Sequence, residues 1–340
     1  MLEFGLFENF GFEILGVRFQ PIYLVAIYFL KSLKFGKKEV LLIAILVFHC
    51  LIIGDIRSLA ALMMTIFWMK FFSDYKIEKK SDYRIIWFIY ILTFYELVFK
   101  VFIATEMLSF RSFSSVQYYN RLTLTFSEPS FTGVYLSVLA IIMYLKNSKK
   151  HFLILVTLVL LTKSVGGIAL LIFAFFIFVK KGRLYAMLLF IPMIILTGDR
   201  IISEFAGFGD LNAYNSLATR LNTILVFVEY LVFNGIKSLI GLGLGNVDTY
   251  LISKYSYLDT EFSVGNFANG FLAIIMSFGL YCIPFFMLLK KYSVDRGIFA
   301  MMIFALFLNG NLNSYILWLP IVLNRFLLPI PDNFDSNTTE

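Results

Sequence analysis

Charged residues are scarce in this sequence, and their scarcity argues against a soluble globular domain. Asp, Glu, Lys and Arg make up 15% of the 340 residues, while hydrophobic residues make up 60% and the mean hydropathy is +0.83. Soluble domains carry about 25% charged residues. A chain of this length has too few polar groups to cover a compact surface in water, so we expect an integral membrane protein.

Cysteine and histidine are also rare. The chain contains only Cys50 and Cys282, both in apolar stretches, and only His49 and His151. Two cysteines in apolar stretches do not indicate a disulfide framework, and these four side chains do not form a soft-metal cluster. The sequence therefore predicts no metal site and no cofactor.

Apolar stretches separated by short basic loops predict an all-α, polytopic membrane protein. We expect about eleven transmembrane helices, within a range of about 10–12, since each needs about 20 mostly apolar residues. The chain, residues 1–340, forms one transmembrane domain in this interpretation. The predicted spans lie near 17–30, 40–54, 57–72, 85–103, 129–145, 151–162, 164–180, 184–198, 267–289, 297–309 and 314–328. The pairs 151–162 with 164–180 and 297–309 with 314–328 also fit broken or re-entrant helices.

The distribution of Lys and Arg predicts the orientation. Of 29 basic residues, 19 fall on one face, in the segments 31–39, 70–84, 146–151, 180–183 and 290–296 and at Arg325. Basic loops stay in the cytoplasm, which places the N-terminus and a long loop, residues 199–265, outside a bacterial cytoplasmic membrane. The C-terminal tail then lies in the cytoplasm. The same bias explains the net charge of +7 without a nucleic-acid partner.

Residues 221–245 are apolar enough to form another span, but two observations argue against a crossing. A crossing would move Lys290, Lys291 and Arg296 outside, and a charge such as Glu229 near mid-bilayer costs at least about 2.5–3.5 kcal/mol. We expect an interfacial or re-entrant helix of the external loop, in contact with membrane lipid.

The first group of external polar residues precedes the predicted helix at 129–145. Arg111 and Arg121 are followed by Ser127-Glu128-Pro129-Ser130 and Gly133. Proline is tolerated in the first turn of a helix, and a carboxylate there is favoured by the helix dipole. One interpretation is that Ser127 or Glu128 only caps the helix; the other is that the arginines face an anionic ligand at the membrane surface.

Further polar residues lie in the long loop and at the entrance to the ninth span. The loop holds Arg200, Arg220, Asp248 and a glycine run, Gly241-Leu-Gly243-Leu-Gly245-Asn246. The run follows no strand, so it does not indicate a nucleotide site; we expect it to permit a tight turn with close backbone approach. Asn269 stands at a helix entrance, where an N-cap is expected.

Together these features resemble the bacterial oligosaccharide repeat-unit polymerases (Wzy type) of O-antigen and capsule assembly, which are related to the O-antigen ligases. The resemblance rests on Arg121 with Ser127-Glu128-Pro129-Ser130, on Arg220 ahead of the glycine run, and on Asn269-Gly270-Phe271-Leu272 before Phe278-Gly279-Leu280. Ligases typically present a His-Asn pair before this last helix, whereas Ala268 precedes Asn269 here. The chain is therefore more similar to a polymerase.

The resemblance implies a metal-independent glycosyltransferase at the outer face of the membrane. Its substrates, as donor and acceptor, are oligosaccharides linked to polyprenyl pyrophosphate, and a chain-length regulator is a further partner. Arginine pairs bidentately with phosphate oxygens, so Arg121 and Arg220 are the candidates that stabilise the leaving pyrophosphate, and Glu128 is the candidate general base. The substrate-binding candidates are Arg111, Arg200, Gly243, Asn246, Asp248 and Asn269.

Two alternatives stay open. Glu96 within the fourth span and Arg57 at the edge of the third are compatible with a transporter or flippase, in which ionisable residues lie within the membrane. A ligase-like transfer of glycan to another acceptor is the second alternative.

Overall fold

The computed structural model describes part of the chain. The described residues are 12–14, 17–19, 33–54, 56–74, 81–104, 121–124, 129–179, 209–211, 216–258, 267–309 and 315–327, with single positions at 28, 184, 188, 191–192, 194–195, 198, 202 and 206. About half of the predicted span 184–198 and most of the predicted span 17–30 lie outside them. So do the C-terminal tail and three candidate site residues, Arg111, Glu128 and Arg200.

The described chain is helical apart from one short hairpin, which confirms the all-α prediction in outline. Strands β1, Phe12–Ile14, and β2, Val17–Phe19, pair antiparallel, with Glu13 opposite Arg18. The prediction that a helix begins at residue 17 is therefore wrong. The period-2 alternation of Phe12-Glu13-Ile14 and Val17-Arg18-Phe19 is typical of strands, and opposite charges at paired positions favour the register.

Helices occupy the other predicted spans that the structure describes, and their ends agree to within a few residues. The first six are α1 Lys37–Ile53, α2 Ile56–Asp74, α3 Ser81–Ala104, α4 Pro129–Leu145, α5 Lys149–Leu161 and α6 Val165–Phe178. The others are α7 Ser216–Asn234, α8 Asn246–Tyr255, α9 Gly270–Phe278, α10 Cys282–Tyr292, α11 Arg296–Leu308, α12 Tyr315–Trp318 and α13 Asn324–Leu327. Short 3-10 segments at Gly235–Leu239, Gly279–Tyr281 and Leu319–Leu323 connect some of them.

The helices run alternately between two ends of the bundle. At one end, which we call the basic end, Glu39 at the start of α1 binds Lys70 from α2 and Lys291 from α10, at 3.6 and 3.1 Å. There Arg325 also donates to the Asp74 carbonyl oxygen, at 2.8 Å. Helix termini predicted to share one face therefore lie together. The opposite end, where Arg121 and Arg220 lie, is called the arginine end.

Of the two pairs that also fitted broken helices, the first forms the separate helices α5 and α6. In the second, α11 is followed by a broken helix that consists of α12, the 3-10 segment Leu319–Leu323 and α13. A turn at residues 162–164 joins α5 to α6, and both helices pack on α4. Residues 315–327 return from the end of α11 to the basic end, where Asn324 donates to the Tyr292 carbonyl oxygen at 2.6 Å. Side chains from Ile316 to Leu323 are almost fully buried in the main core. Residues 316–323 therefore lie in the interior of the bundle.

Small residues bring α4 and α6 together near the arginine end. A Cβ placed on Gly167 would lie 2.5 Å from the Gly133 Cα, so the two backbones touch at this point. The Ser137 hydroxyl donates to the Gly133 and Gly167 carbonyl oxygens, at 2.7 and 2.9 Å. Glycine and serine permit such close helix crossings and satisfy their polar groups internally. Gly133 of the motif therefore has a packing role.

The long loop builds a second, smaller core against α9. Val226 and Tyr230 of α7, with Leu251 and Tyr255 of α8, are buried against one face of α9, which contributes Leu272, Ala273 and Met276. The other face of α9 packs into the main core through Ile274 and Phe278. The helix α9 is thus shared between bundle and loop.

Candidate functional site

Arg121 lies at the arginine end in a short segment, residues 121–124, that is fixed from several sides. Its Nε donates to the Thr162 carbonyl oxygen at 3.0 Å, and the Leu122 N–H donates to the Leu161 carbonyl oxygen at 3.0 Å. Both acceptors lie at the C-terminal end of α5, where helix carbonyls have no partner within the helix. The last turn of α5 thus fixes where Arg121 lies.

The carboxylate of Glu96, in α3, accepts three hydrogen bonds from the same segment. Its Oε1 accepts from the N–H and the hydroxyl of Thr123, both at 2.9 Å, and its Oε2 accepts from the Leu124 N–H at 2.6 Å. Glu96 is buried, with 4% of its surface exposed. The sequence did not indicate Glu96 as a site residue; there it was only an argument for the transporter alternative. The only sign of it in the sequence was a single carboxylate in the middle of an apolar stretch. The residues that bind it, Thr123 and Leu124, are 27 and 28 residues away along the chain.

The segment is also bonded to the start of α4. The buried Thr132 hydroxyl donates to the Thr123 carbonyl oxygen at 2.6 Å. Residues 121–124 are therefore attached to α3, α4 and α5 at once. Glu128, the candidate base, directly precedes Pro129 at the first position of α4, but lies outside the described residues.

Arg220 of α7 lies at the same end of the bundle. Its Nε donates to the Leu308 carbonyl oxygen at the C-terminus of α11, at 2.7 Å. A Cβ on Gly166 would lie 3.9 Å from the Leu308 side chain, and Gly166 is in the first turn of α6, four residues after Thr162. Each arginine is therefore held by a helix C-terminus, and both of these C-termini lie near the start of α6.

Asn269 stands next to this region and caps α9. Its Oδ1 accepts from the Leu272 N–H at 3.1 Å, which confirms the predicted N-cap. The adjacent Gly270 N–H donates to the Asn309 carbonyl oxygen, one residue after the acceptor of Arg220. Asn269 is fully buried, and its amide nitrogen has no partner among the described residues. A buried donor without a partner is costly. The Asn269 amide is therefore a polar group of the candidate site whose N–H donors are not used by the described residues.

The glycine run lies further along α9, against protein backbone. Gly241 and Gly243 have φ of +87°, and the Gly243 N–H donates to the Ser277 carbonyl oxygen at 2.8 Å. A Cβ on Gly241 would lie 2.5 Å from the Ser277 oxygen, and one on Gly243 would lie 2.7 Å from the Ile53 oxygen. The close backbone approach expected of these glycines is present, and its partners are α1 and α9.

Asn246 and Asp248 follow the run at the start of α8. The Asn246 amide nitrogen donates to the Ile53 and Leu242 carbonyl oxygens, both at 2.9 Å, and Asp248 is exposed in the first turn. The structure thus gives Gly243 and Asn246 contacts with the protein backbone, including that of α1. A substrate contact for these residues stays a prediction.

A polar clasp joins the two helices of the long loop. Lys254 of α8 lies 2.8 Å from the Glu229 carboxylate of α7 and 4.5 Å from the centre of the Phe233 ring, and the Tyr255 hydroxyl also donates to Glu229. Partial burial by itself would raise the pKa of Glu229, but the hydrogen bonds from Lys254 and Tyr255 outweigh it and hold the pKa below its ordinary value. The helices α7 and α8 of the loop are therefore packed together.

Comparison with known proteins identifies no relative: no family model, no curated protein and no solved structure matches the chain. Among the described residues, no group of three or more His, Cys, Asp or Glu side chains is arranged to hold a metal ion. The candidate site thus has two arginines anchored at one end of a helical bundle, the Asn269 amide, which has no partner within the described part of the chain, and a segment, residues 121–124, that is bonded to the start of α4.

Proposed function

We propose that this chain is a polytopic membrane protein that joins oligosaccharide repeat units linked to polyprenyl pyrophosphate into a longer surface polysaccharide. The observation that carries the proposal is that Arg121 and Arg220 lie at the same end of the bundle, with the segment of Arg121 bonded to the start of α4. Both arginines are bonded through Nε to helix C-terminal carbonyls, which helps to hold each guanidinium group at this end.

The helical surface supports a lipid environment. One helical stretch of the described chain, Gly270–Tyr292, is long and apolar enough to cross a membrane, and shorter apolar helices include Pro129–Leu145 and Val165–Phe178. Large apolar side chains on the helices are strongly exposed, among them Phe48, Ile52 and Phe94 at 62%, 64% and 71%. Contiguous exposed apolar surface is unfavourable in water and favourable against lipid tails.

The loop helix α7 supports an external, membrane-surface position for the site. It begins beside the end of α11 at Arg220 and is followed by backbone that pairs with Met276 and Ser277, near the middle of the helical stretch Gly270–Tyr292. Val232, Phe233 and Ile236 are exposed by 72%, 73% and 83%. A helix that enters and leaves on one side and presents apolar residues outward fits the predicted re-entrant segment.

The proposed reaction requires mainly charge stabilisation on the leaving group and proximity of the two substrates. Pyrophosphate is already a good leaving group, so the protein must hold two lipid-anchored substrates together and compensate the charge that develops on the leaving oxygens. Arg121 and Arg220 supply that compensation, and Glu128 accepts the proton of the attacking sugar hydroxyl. No step requires a metal.

The test is a gel of surface polysaccharide from a deletion strain complemented with variants. Glu128→Gln and Arg121→Ala should each abolish long polymer and leave single repeat units on lipid. Lys163→Gln, which removes a positive charge next to Thr162 at the same end, should restore the full ladder. All variants are compared at matched protein levels in the membrane.

The same gel separates the alternatives. Normal ladders with both Glu128→Gln and Arg121→Ala would overturn the assignment of these residues. In the deletion strain, complete loss of surface glycan with lipid-linked units trapped inside would indicate a flippase instead. An intact ladder that stays on its lipid carrier would indicate a ligase.

A further inference from the structure

The carboxylate of Glu96 has no task in the proposed reaction, yet it is among the most strongly bonded polar groups at the arginine end. Three donors from two consecutive residues, Thr123 and Leu124, converge on its two oxygens at 2.6–2.9 Å. A buried carboxylate is costly unless its charge is compensated, and two backbone N–H groups with a hydroxyl compensate it well. Glu96 is thus engaged in holding main chain.

The main chain that it holds has a conformation that the sequence would not adopt by itself. Leu124 has φ of +49°, in the left-handed region that side chains with a Cβ rarely occupy. The N–H of this residue is the donor to Glu96 Oε2, at the shortest of the three distances. A local conformation of this kind persists where surrounding bonds fix it.

The bent segment lies between the two catalytic candidates of the motif. Arg121 is three residues before Leu124, and Glu128 is four residues after it. Thr132 of α4 donates to the Thr123 carbonyl oxygen, so the residue that Glu96 grips is also bonded to the helix that Glu128 precedes. A change in the path of residues 123–124 therefore moves Arg121 relative to the start of α4.

We propose that Glu96 is a positioning residue for pyrophosphate recognition. By holding the left-handed turn at Thr123 and Leu124, it places the Arg121 guanidinium where it meets the pyrophosphate of the lipid-linked substrate. This inference rests on the proposed function. It also assigns the buried carboxylate of α3 a role that does not involve carrying a substrate or a proton through the bundle.

Two isosteric changes on the same helix separate this role from general stability. Glu96→Gln keeps one oxygen for Thr123 but places an amide NH2 against a second N–H donor at Leu124. Thr93→Val is the matched control, because Thr93 is buried one turn earlier and its hydroxyl has no partner among the described residues. Each protein is purified in detergent and retained only if it elutes as a single species.

Binding of polyprenyl pyrophosphate, without sugar, is the first measurement. Loss of a charge-assisted hydrogen-bond network costs about tenfold in affinity or more, so Glu96→Gln and Arg121→Ala should each raise the Kd by about tenfold. The double variant should be little weaker than the weaker single variant, because both changes remove the same contact. Thr93→Val should bind like the wild type.

Amide hydrogen exchange of residues 122–124 is the second measurement, and it does not depend on the reaction. Exchange should accelerate in Glu96→Gln and stay slow in Thr93→Val. Fast exchange combined with wild-type affinity in Glu96→Gln would overturn the positioning role while leaving the proposed function intact. Failure of the wild type to bind polyprenyl pyrophosphate would overturn both, and slow exchange in Glu96→Gln would remove the structural basis of this inference.

Discussion

Single residues decide where backbone meets backbone at the glycine run. Gly241 and Gly243 combine a left-handed φ with an approach that leaves no space for a Cβ. Glycine adopts such backbone without a steric penalty. Close spacing of glycines predicted a tight turn, and the structure adds that the turn is packed on α1 and α9.

Gly243→Ala should therefore destabilise the protein by about 2–5 kcal/mol, since a left-handed alanine costs roughly 1–2 kcal/mol and overpacking adds typically 1–3 kcal/mol. Gly209→Ala is the control, because Gly209 has φ of +89° and nothing within 4 Å of a Cβ; it should lose only the conformational part. The midpoint of thermal unfolding in detergent measures both. Equal losses in the two variants would show that the contact with Ile53 is not what requires glycine.

Residues were predictable from the sequence where a local rule applies. The cap at Asn269 follows from the residue type and the helix that it precedes. Glu96 follows from no such rule, because its partners at Thr123 and Leu124 are set by tertiary packing. The partners of Arg121 and Arg220 are carbonyls of α5 and α11, which sequence spacing does not reveal.

The clasp between the helices α7 and α8 gives the long loop a dependence on pH. The pKa of Glu229 in the folded protein lies below its ordinary value of 4.5. The ionised carboxylate therefore contributes stability above about pH 4.5, and this contribution is lost as the pH falls through the lower, folded pKa. Lys254 keeps its charge over this range.

Amide exchange of α8 should therefore accelerate, after correction for intrinsic rates, when the pH is lowered from 7 to 4. In Glu229→Gln the corrected exchange should be faster at pH 7 and nearly independent of pH. An unchanged pH dependence in Glu229→Gln would assign the effect to another group. The two helices belong to one cluster of buried side chains, so α7 should respond together with α8.

At the level of elements, the hydropathy pattern located the helices to within a few residues, but it does not show that each is long enough to cross a membrane. The predicted span 129–145 coincides with α4, whereas α5 has 13 residues, or about 20 Å at 1.5 Å per residue. That is shorter than a hydrocarbon core of about 30 Å. The hairpin β1–β2 was not predicted, because a search for apolar stretches does not distinguish alternating apolar and polar residues from a continuous apolar run.

Across the whole molecule, the two ends of the bundle differ in what they can bind. The basic end ties α1, α2 and α10 together through Glu39, Lys70 and Lys291. At the arginine end, Arg121 and Arg220 are bonded to carbonyl oxygens at the C-termini of α5 and α11. If the proposed orientation is correct, these ends face opposite sides of a membrane.

A pair of exposed charged residues tests that orientation. In a variant without Cys50 and Cys282, a membrane-impermeant maleimide should label Asp210→Cys in intact cells, because Asp210 is exposed and its carbonyl oxygen accepts from Asn222, near the start of α7 at the arginine end. Lys290→Cys, at the basic end, should react only after the membrane is permeabilised. Labelling of Lys290→Cys in intact cells would reverse the proposed topology.

The division of α9 between two cores has a consequence for how the fold can change over time. One face of this helix is buried by the loop through Leu272, Ala273 and Met276, and the other by the bundle through Ile274 and Phe278. A loop of different sequence would have to supply a new apolar surface for the same stripe. The long loop therefore cannot be exchanged as an independent module, and its sequence must vary in step with that of α9.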